Sequence, residues 1–209
     1  MKKKILSVIV ALSMLSTLVL VPLPSSAATS GDYTYTVNDD GTATITGYTG
    51  SEAELTIPEE IDGHTVTVIG RGAFSSNKTI QIVTLPNTIE EISESAFNSC
   101  TSLKTVILSN NLKIIGSKAF QCSTLSSIKL PDSITFIDAY AFVSTKLSYI
   151  NLPSSLTSLD KHTFAVCQDL AYIRIPHTIT SIDSTCFSAC NKDLLTIVGC
   201  ANSAAQTYA

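Results

Sequence analysis

The sequence predicts a mainly β solenoid, with short strands joined by short helical or irregular turns and an N-terminal β-hairpin cap. Two registers and one bulk property carry that reading. Phe74, Phe97, Phe120, Phe142, Phe164 and Phe187 follow one another at intervals of 23, 23, 22, 22 and 23 residues. Pro58, Pro86, Pro131, Pro153 and Pro176 form a second register, each after Leu or Ile, with Ser109 in the same slot after Leu108. Charged residues make up only 14% of the chain, and long Ser/Thr stretches separate them, which suits a folded body with a hydroxyl-rich surface rather than a disordered chain.

Residues 1–28 have the layout of a secretory signal peptide: basic Lys2–Lys4, an apolar run from Ile5 to Leu23, then small Ser26-Ala27-Ala28. The apolar run is nearly long enough to span a bilayer. Pro22, Pro24 and the small residues after them favour cleavage over a retained anchor, so the mature chain is expected to have no stable membrane insertion. Losing the three leader lysines takes the formal charge from −4 to −7.

Residues 29–57 are assigned to the cap. YTYTV and TATIT flank Asn38-Asp39-Asp40-Gly41, a hairpin pattern with a Gly-containing turn. A hairpin here would cover the first open edge of the stack. Residues 58–199 are assigned to the solenoid, five to six repeats of 22–23 residues. Four of them read LKTVILSNNLKIIGSKAFQC, LSSIKLPDSITFIDAYAFVS, LSYINLPSSLTSLDKHTFAVC and LAYIRIPHTITSIDSTCFSAC. Each begins apolar-x-x-apolar-x-apolar, and the last two apolar positions alternate as a half-buried strand requires. Pro removes the next ladder donor and ends the strand. A unit this short cannot bury its apolar set alone, so neighbouring units must stack. The Phe column is then the structural core. Residues 200–209 form a short polar tail whose Ala-rich run suits one helical turn.

Over residues 55–199 the pattern L-x-x-I-x-L-P-x-x-I-x-x-I-x-x-x-A-F-x-x-C, as it stands from Leu103 to Cys190, resembles the BspA-like leucine-rich repeats of bacterial surface proteins. The resemblance implies a leucine-rich-repeat solenoid with an N-terminal lead-in and a terminating tail. It also implies a secreted or cell-surface protein that adheres to a protein or glycan on a host or neighbouring cell.

Chemistry is sparse. His64, His162 and His177 are scattered, without metal-ligand spacing, and His162 and His177 fall on outer turn positions. Phosphate loops, nucleophile elbows and paired catalytic carboxylates are missing. Glu59-Glu60 and Glu90-Glu91 are adjacent pairs in turns, whose carboxylates point apart into solvent. Leu85-Pro86-Asn87-Thr88 has the form of a wall-sorting signal but sits inside a repeat. No cofactor and no catalysis are expected. Residues 32–94 carry net −9 and residues 95–209 net +2. A nucleic-acid partner needs a concentrated basic face and is not expected.

Cys100, Cys167 and Cys190 lie three residues after a Phe, Cys122 two after, and Ser144 holds the matching place in the next unit. Export permits disulfides. Stacked Cys in one column can equally pack as small buried groups, which is the favoured alternative.

The candidate binding surface is the strand face. Two outward columns are expected: Ile82, Thr105, Ser127, Tyr149 and Tyr172, and beside it Thr84, Ile107, Lys129, Asn151 and Arg174. Tyr149, Tyr172, Arg174, Lys129 and Asn151 are the candidate ligand-binding residues. The two Tyr rings, about 4.8 Å apart by strand spacing, are expected nearly to stack. A wall- or polysaccharide-associated enzyme or enzyme accessory, or a structural spacer, remains the alternative.

Overall fold

The computed structural model describes residues 27–199 and 203–208. Most of the expected leader, residues 1–26, and Cys200 lie outside the described residues.

The chain opens with β1 (Ala28–Ser30), β2 (Tyr33–Val37) and β3 (Ala43–Tyr48). β2 and β3 form the hairpin around Asn38-Asp39-Asp40-Gly41, and β1 pairs antiparallel with β2. Asp40 Oδ1 shapes the turn by accepting the Thr42 N–H at 2.9 Å and its hydroxyl at 2.7 Å. Then come β4 (Glu54–Thr56), β5 (Glu60–Ile61) and β6 (His64–Ile69).

From there two kinds of strand alternate. The first kind comprises β7 (Ile82–Thr84), and the second begins with β8 (Glu91–Ile92). The series continues through β9 (Thr105–Ile107), β10 (Ile114–Ile115), β11 (Ser127–Ile128) and β12 (Phe136–Ile137). It ends with β13 (Tyr149–Asn151), β14 (Ser158–Leu159), β15 (Tyr172–Arg174), β16 (Ser181–Ile182) and β17 (Thr196–Val198). A single helical turn, α1 (Ala204–Tyr208), follows where the Ala-rich tail allows it.

The fold is therefore a parallel solenoid, mainly β, as the repeat spacing requires. The front ladder orders β4-β7-β9-β11 and then β13-β15-β17; the back ladder orders β3-β6-β8-β10-β12 and then β14-β16. β4 pairs with β7 although it lies within residues 29–57, so the front ladder starts inside the stretch expected to be cap. Both ladders are interrupted between the same two turns, after β11 in front and after β12 behind.

Each turn sends one side chain per position inward. Ile80, Leu103, Leu125, Leu147 and Leu170 form one buried column, and Val83, Val106, Ile128, Ile150 and Ile173 another. The Phe column is the third and heaviest. From Phe74 to Phe187 the rings stack with centroids 5.0–5.7 Å apart and planes within 12° of parallel. That spacing is close to the ~4.8 Å between paired strands, because one turn is nearly a pure translation of the last. Tyr residues close both ends. Tyr48 leans on Phe74 at 5.3 Å and Tyr33 on Tyr48 at 5.1 Å. Tyr208 of α1 packs edge-on against Phe187 at 5.3 Å. Tyr suits these positions because its ring can be covered while its hydroxyl meets water or backbone.

Around the Phe column the backbone is left-handed twice per turn. Two residues before the Phe, Gly72, Ser95, Lys118, Tyr140 and His162 have φ between 54° and 66°. Two residues after it, Ser76, Ser99, Cys122, Ser144, Val166 and Ala189 have φ between 56° and 62°. The alternation aims successive N–H groups at the following turn. Phe74, Phe97, Phe120, Phe142 and Phe164 each donate to a carbonyl one turn on, at 2.8–3.0 Å. This ladder runs through every such position from Gly72 to Ser144 and resumes at Phe164 and Val166. At its end the Phe187 N–H meets the Tyr208 hydroxyl at 3.4 Å, and that hydroxyl donates to Ser184 O at 3.0 Å.

The cysteine column differs from the expected one. The buried position is three residues after each Phe from Phe97 on, so it is filled by Cys100, Ser123, Thr145, Cys167 and Cys190. Cys122 and Ser144 instead occupy left-handed turn positions outside it, and Cys122 is exposed. The 22-residue units lose their residue after this column, before Leu125 and Leu147. Cys100, Cys167 and Cys190 donate their thiols to Phe74, Phe142 and Phe164 carbonyls at 3.0–3.1 Å. The five described cysteines are all free.

Candidate ligand-binding face

The inward column of the front ladder fixes what faces out. With Val83, Val106, Ile150 and Ile173 buried, the residues on either side of each must point away from the core. The registers align Glu54, Ile82, Thr105 and Ser127 in one outward column and Thr56, Thr84 and Ile107 in the next. Beyond the interruption, Tyr149 pairs with Tyr172 and Thr196, and Asn151 with Arg174 and Val198. Both outward columns were legible in the spacing of the repeats.

Tyr149 and Tyr172 are 51% and 38% exposed, against a background of buried aromatic rings. Arg174 and Asn151 are exposed beside them. Arg174 enters no ion pair among the described residues, so its guanidinium is available to a ligand. Lys129 is exposed too, but it follows β11 and lies across the ladder interruption from the other four. The structure thus groups Tyr149, Asn151, Tyr172 and Arg174, and sets Lys129 on the neighbouring segment.

The expected stacking of Tyr149 on Tyr172 is absent: no ring contact joins them, although contacts of that kind run the length of the Phe column. Register fixes the Cα positions, while an exposed ring is held by no surrounding wall and takes its own rotamer.

Recesses of about 1030, 740 and 330 Å³ lie elsewhere: at the C-terminal end against Tyr208, between the hairpin turn and the back ladder, and beside β1. None includes Tyr149, Tyr172 or Arg174.

The carboxylate pair Glu90-Glu91 divides as its alternation dictates. Glu90 meets Lys113 at 2.7 Å, while Glu91 accepts the Ser93 hydroxyl at 2.6 Å. No cluster of three or more His, Cys, Asp or Glu able to hold a metal exists among the described residues. No helix among them is long and apolar enough to cross a membrane. Burial pushes the thiols of Cys100 and Cys167 up to about 11, the opposite of what a nucleophile needs.

Two features escaped the sequence reading. Phe136, on the outward side of the back ladder in register with Ile114, is 45% exposed. Its signal was an aromatic where the strand alternation puts a polar residue. His162 packs against Tyr140 with centroids 5.0 Å apart and shares a hydrogen bond with Ser188 Oγ at 3.0 Å. Nothing in the spacing of the three His residues announced it.

A family model for the BspA type leucine rich repeat region matches residues 67–194 in six copies. No curated protein matches the chain. Among solved structures, a leucine-rich repeat protein from Bacteroides ovatus superposes with a TM-score of 0.68 at 24% identity, over 81% of this chain and 52% of that one. A leucine-rich repeat protein of T. pallidum gives 0.60 at 22% identity, over 81% of this chain and 92% of that one. The pneumococcal vaccine antigen PcpA gives 0.61 at 18% identity, over 85% of this chain and 50% of that one. The chain spans about half the length of the first and third of these, and at such identities the likeness establishes the fold.

Proposed function

The chain belongs to the BspA-type leucine-rich-repeat family, and from that premise we propose that it is an exported recognition module which binds a protein or glycan on a host or neighbouring-cell surface. The front face around Tyr149, Asn151, Tyr172 and Arg174 makes the contact, with Lys129 at its margin. One observation carries the reading: the in-register pairing of Tyr149 with Tyr172 and of Asn151 with Arg174 sets two exposed aromatic rings beside an unpaired guanidinium. Tyr and Arg are the types enriched in binding hot spots, since they offer large contact area and directed donors. Two exposed rings serve no core, and strand propensity alone does not require Arg174 alongside.

Export rests on the leader-like residues 1–28. Cleavage after Ala27 or Ala28 would release a chain starting at or beside β1. Mass spectrometry of exported protein should find a first residue near Ala28 or Thr29; a full-length mass in the membrane fraction would contradict it. A binding rather than catalytic role rests on the repeat architecture and on the raised thiols.

The test of the face uses labelled mature protein on intact epithelial and bacterial cells. Wild type should bind saturably to at least one cell type. The double variant Tyr149→Ala plus Tyr172→Ala should bind about tenfold more weakly, a loss of about 1.4 kcal/mol. Full binding by a folded double variant would move the site off this face.

A further inference from the structure

On the turn edge, away from the front face, four side chains from three successive turns converge. The Lys118 and Lys161 ammoniums lie 6.0 and 5.9 Å from the centroid of one ring, that of Tyr140. The His162 ring tilts against the same Tyr at 5.0 Å. Its Nδ1 meets Ser188 Oγ, which leaves Nε2 with no partner. Neither Lys takes part in any of the three ion pairs among the described residues.

The nearby carboxylates keep their charge but are oriented by hydrogen bonds to neighbouring residues. Asp138 accepts the Ala139 N–H and Asp160 the Lys161 N–H, both at 2.6 Å. Asp183 accepts the N–H and hydroxyl of Thr185. The Thr185 donors, with His162 and Lys161 nearby, hold the Asp183 carboxyl below its usual range, while neither ammonium is drawn off the Tyr140 ring into an ion pair.

The backbone gives a second, independent indication. Lys118, Tyr140 and His162 all occupy the left-handed position two residues before the Phe, with φ of 59°, 64° and 54°. Earlier turns fill that position with Gly72 and Ser95, and the matching position after the Phe takes mostly Ser, Cys or Ala. A left-handed backbone disfavours most side chains, His less than most, so Lys118 and Tyr140 in consecutive turns run against local preference. Residues held against such preference cluster where they contact ligands.

We propose that Tyr140, Lys118, Lys161 and His162 form a binding site for an acidic saccharide, a sugar chain bearing sulfate or carboxylate groups. The ammoniums and the imidazole meet the anionic groups, and the phenol ring meets the C–H face of a sugar. From Lys118 to His162 the site spans two turn spacings, roughly 10 Å, which calls for an extended chain rather than a single small anion.

The experiment measures binding of the mature protein to immobilised dextran sulfate, polygalacturonate and uncharged dextran. Wild type should bind one or both acidic polymers and not dextran; which of the two assigns sulfate or carboxylate. Lys118→Gln plus Lys161→Gln should weaken that binding at least tenfold. Tyr140→Gly should weaken it at least fivefold while keeping the melting temperature, because Gly accepts the left-handed backbone. The control Lys104→Gln plus Lys192→Gln, which removes the same charge elsewhere, should bind as wild type. The proposal is overturned if wild type binds neither acidic polymer, if dextran binds equally, or if the control loses as much as the Lys118/Lys161 pair.

Discussion

The turn edge and the front face of the same coil are built on opposite plans. Along the turn edge every unit repeats its neighbour: one Phe, stacked within 12° of parallel, and an N–H ladder that crosses from turn to turn without a gap between Gly72 and Ser144. On the front face the strands form segments of four and three, and the outward residues change from Ile82 and Thr105 to Tyr149 and Tyr172. The difference separates two jobs. Uniformity along the spine holds the turns together, and a face relieved of that task is free to vary. Where both strand ladders stop, only the spine and a few bonds such as Lys146 N–H to Leu125 O carry the stack across.

If the spine bears the load, truncating it should have the largest effect. Phe120→Ala or Phe142→Ala should each cost about 3–5 kcal/mol. Phe142 stacks on Phe164 just where the ladders are interrupted, so its loss should also split one melting transition into two. Unchanged thermal stability in both variants would contradict the division.

The thiols beside the spine sharpen it through pH. Burial pushes the Cys100 and Cys167 thiols up to about 11 from the ordinary 9, so between those values the unfolded chain loses protons that the folded chain keeps. Stability should hold below pH 9 and fall as pH rises from 9 towards 11. Cys100→Ala plus Cys167→Ala should reduce that slope in urea titrations, leaving the part due to Cys186 and Cys190, which burial also raises; an unaltered slope would place its origin elsewhere. In native protein Cys122 should react first with a thiol reagent, since it alone of the five described cysteines is exposed.

A smaller effect is expected at the end of the spine. Tyr208→Ala removes both the edge-on ring and the hydroxyl that serves the Phe187 N–H, a loss of about 2 kcal/mol. Hydrogen exchange should then quicken at Phe187 before it quickens at Phe120. Smaller still, Val166→Gly should raise stability by about 0.5–1 kcal/mol, because a β-branched residue at φ 60° is relieved. On the front face, Tyr149→Ala plus Tyr172→Ala should shift stability by no more than about 0.5 kcal/mol, read from the same urea curves. A cost near that of a spine Phe would show that the face carries load after all.

The parts legible in the sequence are those governed by side-chain periodicity. The Phe spacing located the spine, and apolar alternation located both outward columns with their register. Positions governed by backbone conformation were not legible. Ser99, Lys118 and Tyr140 adopt left-handed φ without the Gly that usually announces it, because the neighbouring turns impose it. For the same reason the column expected to run through Cys122 and Ser144 runs instead through Ser123 and Thr145. The Lys118–Tyr140–Lys161 cluster joins residues more than twenty positions apart, and only the coil's pitch brings them together.

The spine's N–H groups all point the same way, from each turn to the one after it. That edge is accordingly polar, like a stack of cups: there each turn presents carbonyls to the turn before it and donors to the turn after it, while bonds such as Lys113 N–H to Glu90 O run the other way elsewhere on the coil. An in-frame duplication of one 22–23-residue unit would drop into such a stack without altering either end. Length is thus open to change by whole units, and Tyr48 and Tyr208 act as bookends whatever the number of volumes between them.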